Sequence, residues 1–341
     1  MSTCRNPSIL LFLFIGIFLS SRSVFGEFPE TPQYDNAVGL IQNCADPFIL
    51  KHDDVYYLYC SAGLRERGIR VYRSTNLVDW GEPVGYHDGQ ALRSQDVWGE
   101  RNFWAPEVYF LNGKFYMFLA IQERIAVAES DSPLGPFIQK EQEQKPFEPD
   151  LLKIDPHLFI DDDGEKYFYF VRFNRGNEIW VAKLNDDLHS IDESTLKLCL
   201  EASQDWENSR MEPAPGERIN EGAFILKHKG VYYLTYSANN TVNPEYGVGY
   251  ATSDHPMGPW KKFSGNPILK RDGTTINGPG HHSFIHSPSG HLYMVYHTHY
   301  NMERMQPRKL AIDPCEFVPN PDGGLDILKV DGPSIGKQRI L

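Results

Sequence analysis

Residues 45–60 read ADPFILKHDDVYYLYC: a polar start, an apolar segment, a two-residue turn and an aromatic segment. The pattern returns four more times along the chain, in copies that begin at Ala105, Asp155, Glu221 and His281. Most of the connecting turns contain Asn-Gly, Asp-Gly or another X-Gly pair, which suits tight β-hairpins. Each copy therefore predicts one β-hairpin.

The spacing of the copies predicts the architecture. Counted from Asp46, successive starts lie 59, 50, 66 and 60 residues apart, and each hairpin is followed by a further strand and turn. A period of about 60 residues with several strands per unit is typical of propeller blades. We therefore predict an all-β fold, a five-bladed β-propeller that forms a single catalytic domain. Two β-sandwich domains are the alternative, which the fivefold repeat over residues 44–300 disfavours.

Composition narrows the function classes. The 341 residues are 41% hydrophobic and 23% charged, which is typical of a globular chain and not of a disordered one. Aromatic residues reach 13%, a bias toward β-structure and sugar-type ligands. The formal net charge is −12. Nucleic acids and anionic membranes attract clustered Lys and Arg, so neither is an expected partner.

The N-terminus predicts export. Arg5 is followed by an almost wholly apolar run over residues 9–19, and residues 24–26 resemble a cleavage site. A run this short is typical of a secretory signal peptide and not of a spanning helix. We expect residues 1–26 to be a signal peptide, with an uncleaved anchor as the alternative, and residues 27–341 to be the propeller domain. The mature protein is then a secreted, extracellular monomer without membrane attachment.

Cysteine usage fits an oxidising compartment. The chain after the signal peptide holds Cys44, Cys60, Cys199 and Cys315, an even number that allows three disulfide pairings. The alternative is four buried thiols, and the absence of a Cys-x-x-Cys motif argues against a zinc or redox site. Asn239 begins an Asn-Asn-Thr sequence, which is a glycosylation acceptor motif.

One position of the repeat gathers the candidate catalytic groups. When the copies are aligned on their apolar pairs, the residues three positions earlier are Asp46, Ala105, Asp155, Glu221 and His281. The first strand of a propeller blade lines the central channel, so these positions predict a ring at one depth. Carboxyl groups that converge on a cavity are costly unless they are paired, solvated or functional. Three in register favour a functional site over the alternative that each merely starts a strand or caps a turn.

This set of groups suits glycoside hydrolysis. One carboxylate activates water while a second carboxyl group protonates the leaving oxygen. A third carboxylate beside the acid raises the acid's pKa by like-charge repulsion. Trp104 precedes the ring position of the second copy and is a candidate for stacking on a sugar ring. Its alternative is a core position between blades.

Five short motifs carry a family resemblance. They are Ala45-Asp46-Pro47, Trp104-Ala105-Pro106-Glu107, Ile154-Asp155-Pro156, Asn220-Glu221-Gly222 and Gly278-Pro279-Gly280-His281. In this order, they resemble glycoside hydrolase family 43. The resemblance implies a five-bladed propeller and an inverting mechanism, with Asp46 as general base, Glu221 as general acid and Asp155 as modulator of the acid's pKa. Family members include β-xylosidases, α-L-arabinofuranosidases, endo-arabinanases and exo-galactanases.

The resemblance also implies two further site residues. Many family members hold an ion in the central channel, so His281 is a candidate neighbour of a Ca or Na ion, while the chemistry itself requires no cofactor. Arg308 begins a segment that resembles the family's closing segment with its sugar-contacting arginine. The chain after blade five is expected to return a strand that closes the ring against residues 34–43. A zinc site among the histidines of residues 281–299 is the less favoured alternative.

The leading hypothesis is a secreted hydrolase of arabinosyl or xylosyl linkages in plant-type polysaccharides or oligosaccharides. One alternative is a propeller that binds carbohydrate without cleaving it, against which the intact Asp46, Asp155 and Glu221 argue. Another is a related glycosidase acting on a different sugar, such as galactan. The sugar, the linkage and the choice between endo and exo action depend on loops that the sequence pattern does not shape.

Overall fold

The computed structural model describes Met1, residues 31–61, Gly63 and residues 66–140, 144–147, 151–208 and 216–341. The chain separates into two compact units, Met1–Thr31 and Pro32–Leu341. Apart from Met1, the predicted signal peptide lies outside the described residues, so its boundary stays a prediction.

The unit Pro32–Leu341 is built almost entirely from β-strands. Blade one comprises β2 (Ala45–His52), β3 (Val55–Ser61), β4 (Gly68–Ser74) and β5 (Gln90–Arg93). Blade two comprises β6 (Phe103–Leu111), β7 (Lys114–Ile121) and β8 (Arg124–Ser130). Blade three comprises β9 (Lys153–Ile160), β10 (Lys166–Phe173), β11 (Asn177–Leu184) and β12 (Ile191–Leu200). Blade four comprises β13 (Asn220–His228), β14 (Val231–Ala238), β15 (Gly247–Ser253) and β16 (Lys261–Lys262). Blade five comprises β17 (Gly280–His286), β18 (Leu292–Thr298), β19 (Lys309–Val318) and β20 (Ile327–Val330).

The described residues contain no α-helix, and a single 3₁₀ turn spans Asp205–Glu207. No helix among them has the length and apolar character needed to cross a membrane. Among the residues that the structure describes, blade two has no regular fourth strand. There, Ile138 exchanges two backbone hydrogen bonds of 3.0 Å with Glu129 of β8.

The five sheets form a closed ring. Neighbouring strands within each blade are antiparallel and follow the order of the sequence. The first strand of each blade contacts the first strand of the next, from β2 through β6, β9, β13 and β17, and β17 contacts β2 again. The first strands therefore surround one channel, and the predicted five-bladed β-propeller is confirmed.

The core lies between neighbouring blades, where the aromatic strands pack. One apolar cluster, for example, contains Ile69 of blade one and Met117 of blade two. Among the described residues, the largest fully buried side chains are nine tyrosines and three phenylalanines. Full burial of such a ring contributes about 1.5–3 kcal/mol, and a buried tyrosine keeps a polar end that needs a partner. Tyr59, for instance, donates its hydroxyl to the carbonyl of Pro133 at 2.6 Å.

The two ends of the folded unit meet. Strand β1 (Gln33–Tyr34) pairs with β21 (Gln338–Arg339), outside the five blades. Next along the chain, the amide of Leu40 donates to the carbonyl of Leu310 in β19 at 2.9 Å, and Leu310 donates to Ile41 at 2.9 Å. The tail thus pairs with residues near 34, as predicted, and residues 40–41 add a second connection to blade five.

The structure shows the state of the cysteines and of the predicted glycosylation site. Cys44 and Cys60 form a disulfide, while Cys199 and Cys315 are free thiols, so these four cysteines form one bridge and not two. Asn239, the predicted glycosylation acceptor, is only 1% exposed. Its side-chain amide donates to the carbonyl of Glu245 at 3.1 Å, so in the folded protein it faces inward.

Candidate active site

A β-bulge lies at the same place in every blade, at the channel end of the ladder between first and second strands. The last paired residues before the bulge are Ala45, Trp104, Ile154, Glu221 and Gly280, and the first bulge residues are Asp46, Ala105, Asp155, Gly222 and His281. All five bulge residues have a left-handed φ between 45° and 57°. Such backbone costs of order 1–3 kcal/mol in a residue other than glycine and is concentrated at functional sites, where bulges redirect side chains.

This register corrects the predicted alignment in blade four. Glu221 is not the bulge residue but the ladder residue before it, and Gly222 is the equivalent of Asp46. The reason is that Phe224 occupies the position of Phe48, whereas alignment on apolar pairs matched it with the following residue, Ile49. The ring at one depth therefore holds two carboxyl groups, and the third enters from one residue earlier.

Asp46 is a buried carboxylate surrounded by donors. Its Oδ1 lies 2.8 Å from the guanidinium of Arg308, and its Oδ2 accepts the hydroxyl of Ser61. Its own amide donates to Nδ1 of His297 at 3.2 Å. Burial opposes ionisation, but Arg308, together with His281 and His297, outweighs it and holds the pKa of Asp46 well below its usual range. The group is therefore an anion at any working pH.

The surroundings of this carboxylate are tied together covalently and by backbone hydrogen bonds. Ser61 bridges two blades, because its hydroxyl oxygen also accepts the amide of Ala105 at 2.7 Å. The disulfide Cys44–Cys60 joins a residue two positions before Asp46 to the residue just before Ser61. The amide of Cys44 in turn donates to the carbonyl of Arg308 at 3.0 Å. One bridge therefore ties together the backbone near Asp46 and near two of its partners, Ser61 and Arg308.

Glu221 is buried with both carboxyl oxygens occupied. Oε1 accepts the hydroxyl of Tyr246 at 2.8 Å, and Oε2 accepts the side-chain amide of Asn177 at 2.8 Å. Burial raises the pKa of Glu221 and outweighs the opposing effects of His281, Tyr246 and Asn177. The environment therefore shifts the pKa of Glu221 upward, the reverse of its effect on Asp46.

Asp155 lies beside this acid candidate. Its Oδ2 accepts the amide of Gly222, the residue after Glu221, at 3.2 Å. Burial raises the pKa of Asp155 to about 7, and Glu221 and Asp46 add to the effect against the opposing His281. Two buried carboxyl groups this close favour holding one proton between them.

His281 stands between two of the carboxyl groups. Its Nδ1 lies 3.4 Å from Oδ1 of Asp46 and 4.0 Å from Oδ2 of Asp155. Burial favours the neutral ring, but Asp46, Asp155 and Glu221 outweigh it and raise the pKa of His281. The imidazole thus supplies positive charge to the cluster.

The resemblance predicts an ion in the channel beside His281. A void of about 10 Å³ adjoins it, lined among others by His282, whose Nδ1 is buried without a partner. Yet in the described part of the chain, no three His, Cys, Asp or Glu side chains are arranged to hold a metal ion. Ca²⁺ takes six to eight oxygen ligands. The residues present therefore do not form a coordination cage, and the zinc alternative finds no support either.

The predicted site residues converge on one cavity of about 250 Å³. Its wall includes all six of them, namely Asp46, Trp104, Asp155, Glu221, His281 and Arg308. Trp104 is partly buried: it lines this cavity and also packs against a core cluster between blades, so the sugar-contact role stays a prediction. Arg308, expected to contact sugar, is placed directly against Asp46.

Four residues of the site escape the sequence pattern. Ser61 ends the second strand of blade one, and His297 lies on the second strand of blade five. Asn177 begins β11, and Tyr246 lies just before β15. Ser61 and His297 hold the same ladder position of their blades, where blade four also has a serine, Ser237, but the residue type varies around the ring. Only the folded ring brings them to the carboxyl groups.

Comparisons with known proteins agree with this geometry. The family model described as glycosyl hydrolases family 43 matches residues 34–323. A solved endo-1,4-beta-xylanase from Bacteroides thetaiotaomicron VPI-5482 is 39% identical, with a TM-score of 0.76 over 89% of this chain and 99% of that one. A xylosidase/arabinosidase from Bacteroides ovatus is 27% identical over 74% of this chain and 85% of its own length. An extracellular exo-alpha-(1->5)-L-arabinofuranosidase from Streptomyces chartreusis is 27% identical over 79% and 84%.

A propeller whose cavity gathers one stabilised carboxylate and two carboxyl groups with raised pKa values matches a family model over most of its length. The relatives that it resembles along nearly their whole chains are named as glycosidases. The chain is therefore a glycosidase that hydrolyses O-glycosyl compounds, and it belongs to glycosyl hydrolase family 43.

Proposed function

We propose that the protein cleaves its glycosidic bond with inversion, using Asp46 as general base and Glu221 as general acid. One observation carries the proposal: a single cavity holds carboxyl groups whose pKa values are driven in opposite directions. Arg308 holds the pKa of Asp46 low, whereas burial raises that of Glu221. Environments that separate the pKa values of two titratable groups are typical of acid and base partners.

In the proposed step, Asp46 accepts a proton from a water molecule whose oxygen attacks the anomeric carbon. The bond between that carbon and the leaving oxygen breaks, and the proton of Glu221 moves to the leaving oxygen. Asp155 contacts the backbone beside Glu221, and its negative charge opposes loss of the proton from the acid.

The proposed substrates are arabinosyl or xylosyl linkages in plant-type polysaccharides or their oligosaccharides. The names of the relatives support these two sugars, since they include a xylanase, a xylosidase/arabinosidase and an arabinofuranosidase. Trp104 and Arg308 line the cavity and are the proposed sugar contacts. Galactan remains the alternative substrate.

We propose secretion on two grounds. The N-terminal apolar run is typical of a signal peptide, and the disulfide Cys44–Cys60 fits an oxidising compartment. The extracellular relative supports the same location. An ion in the channel beside His281 also stays a proposal.

A product analysis tests the proposal. Purified protein is incubated with nitrophenyl pentosides, arabinan, arabinoxylan, xylo-oligosaccharides and galactan, and the anomeric configuration of the first product is followed by NMR. We expect release of arabinose, xylose or their oligomers with inversion, and loss of activity in Asp46→Asn. Retention of configuration would overturn the assigned roles, and binding without release would favour the non-catalytic propeller.

A further inference from the structure

A second cavity, of about 520 Å³, adjoins Glu221. Glu221 and Thr241 line both this cavity and the one that holds Asp46 and Asp155. Asn177, whose amide donates to Oε2 of Glu221, lines only the second. We call this space the Arg175 cavity, after the arginine on its wall. Its volume is within the range of small-molecule sites.

The wall of the Arg175 cavity is firmly built where blade three meets the start of blade four. The turn between β10 and β11 docks against residues 218–219, and the amide of Asn177 donates to the carbonyl of Arg218 at 2.9 Å. Gly176 allows this approach: its φ is +117°, and an added Cβ would lie 1.9 Å from that carbonyl oxygen. The turn therefore holds Arg175 at the cavity by backbone contacts.

The side chains of the Arg175 cavity are suited to a sugar with an acidic group. Phe173 presents a ring that is 44% exposed, a surface on which an apolar sugar face can rest. Among the described residues, Glu217 is occupied by the amide of Asn240, and Arg218 donates to a backbone carbonyl. Arg175 has no ion-pair or hydrogen-bonding partner among them. Arg175 is exposed, and in a chain of net charge −12 it adds a positive charge to a wall that the acid candidate also lines.

We propose that the Arg175 cavity binds the leaving-group part of the substrate and that Arg175 makes it favour a leaving sugar that bears a carboxylate. The inference rests on the proposed function, because a general acid contacts the leaving oxygen and so stands between the cleaved sugar and its leaving group. With the cleaved sugar beside Asp46, the leaving group extends past Glu221 into the second cavity. Guanidinium groups recognise carboxylates through paired, charge-assisted hydrogen bonds.

The test compares matched substrates with the same cleaved pentosyl residue. One is an aryl pentoside, one an oligosaccharide with a neutral leaving sugar, and one an oligosaccharide whose leaving sugar is a uronic acid. We expect wild type to have a higher kcat/KM for the acidic than for the neutral oligosaccharide. Arg175→Gln should lower this ratio about tenfold, the effect of one charge-assisted contact, and leave the aryl pentoside unchanged. Raising the salt concentration should lower the ratio in wild type only.

Arg271→Gln is the matched control, because Arg271 lines a different cavity around Trp206 that shares no residue with the two at Glu221. It should leave all three rates as in wild type. An acidic-to-neutral ratio near one, or a ratio that Arg175→Gln does not change, overturns the inference while the aryl pentoside activity upholds the proposed function. A protein that cleaves none of the three removes both.

Discussion

Arg308 and Asp46 form the contact that separates the base from the other carboxyl groups. The guanidinium lies 2.8 Å from Oδ1, and its charge is the main force that lowers the pKa of Asp46 against burial. Both groups are largely buried, so each depends on the other for charge compensation. The state of the base is therefore set by a residue some 260 positions later in the chain.

Replacement of Arg308 tests this dependence. In Arg308→Gln the pKa of Asp46 should rise, because burial is no longer opposed by the guanidinium. The base must be ionised to accept a proton, so the acidic limb of the kcat/KM profile should move to higher pH. Profiles of wild type and variant on one aryl pentoside give the comparison. An unmoved acidic limb with a raised KM would mean that Arg308 only contacts sugar.

Two substitutions around the acid should act in opposite directions. Asp155→Asn removes a negative charge that opposes ionisation of Glu221, so the basic limb should move to lower pH. Tyr246→Phe removes the hydroxyl that donates to Oε1 and lowers the pKa of Glu221. Its basic limb should therefore move to higher pH. If both limbs moved the same way, the basic limb would not report Glu221.

The leaving group gives a separate test of Glu221. In Glu221→Ala, substrates with poor leaving groups should lose about 10²–10⁴-fold in rate, the usual contribution of general acid catalysis. Dinitrophenyl pentosides should lose far less, because their leaving oxygen needs no proton. Asp46→Ala, the comparison variant, should damage both classes alike. Equal losses in the Glu221 variant would exclude it from the acid role.

The first hairpin of blade one combines a β-bulge with a disulfide. The bridge joins Cys44 and Cys60, 16 positions apart, and the next residues along each strand lead to Asp46 and Ser61. Because Ser61 donates to Asp46 and accepts from blade two, small shifts of either strand would change the surroundings of the base.

Loss of this disulfide should affect both stability and rate. In a Cys44→Ala/Cys60→Ala double variant, release of a loop of this length should lower the free energy of unfolding by about 3 kcal/mol. We also expect a lower kcat, because the base loses its fixed partner. Denaturant unfolding and kinetics measure the two effects, with Cys199→Ala as the control that breaks no bridge. A lower free energy of unfolding without any change in kcat would restrict the disulfide to a structural role.

The hairpins and their number could be predicted from the sequence, because turn residues and strand alternation are local signals. The register of blade four could not be predicted, because Phe224 is apolar and could match either Phe48 or Ile49 of blade one. Only the position of the bulge after Glu221 decides between the two. The partners of the acid were equally hidden. Asn177 and Tyr246 come from different blades, and their contact with Glu221 depends on how the ring closes.

For the whole molecule, the site is a region where stability is given up for chemistry. The pKa of Asp155 is raised to about 7 in the fold, against about 3.9 in an unfolded chain. The folded state therefore holds the proton more tightly, and stability is lost as the pH rises between these two values. The protein should be less stable at neutral than at mildly acidic pH on account of this group.

Thermal unfolding of Asp155→Asn tests the claim. Asparagine does not titrate, so the Tm of the variant relative to wild type should increase between about pH 4 and pH 7 and stay level above. Asp272→Asn is a control, because hydrogen bonds hold the pKa of Asp272 at about 2 despite partial burial. Its difference from wild type should be constant above about pH 5, where Asp272 is ionised in both the folded and the unfolded state. A constant difference for Asp155→Asn as well would contradict the raised pKa.

The offset of Glu221 from the bulge position has a meaning for symmetry. Five copies of one hairpin generate a pseudo-fivefold axis, and a ring that obeyed this axis would present equivalent surfaces to a substrate from every side. A glycosidic bond is polar, with a water on one side and a leaving oxygen on the other. The one-residue displacement of the carboxyl group in blade four makes that blade different from the others. The two sides of the bound sugar chain therefore meet different groups, and the chain can bind in one orientation.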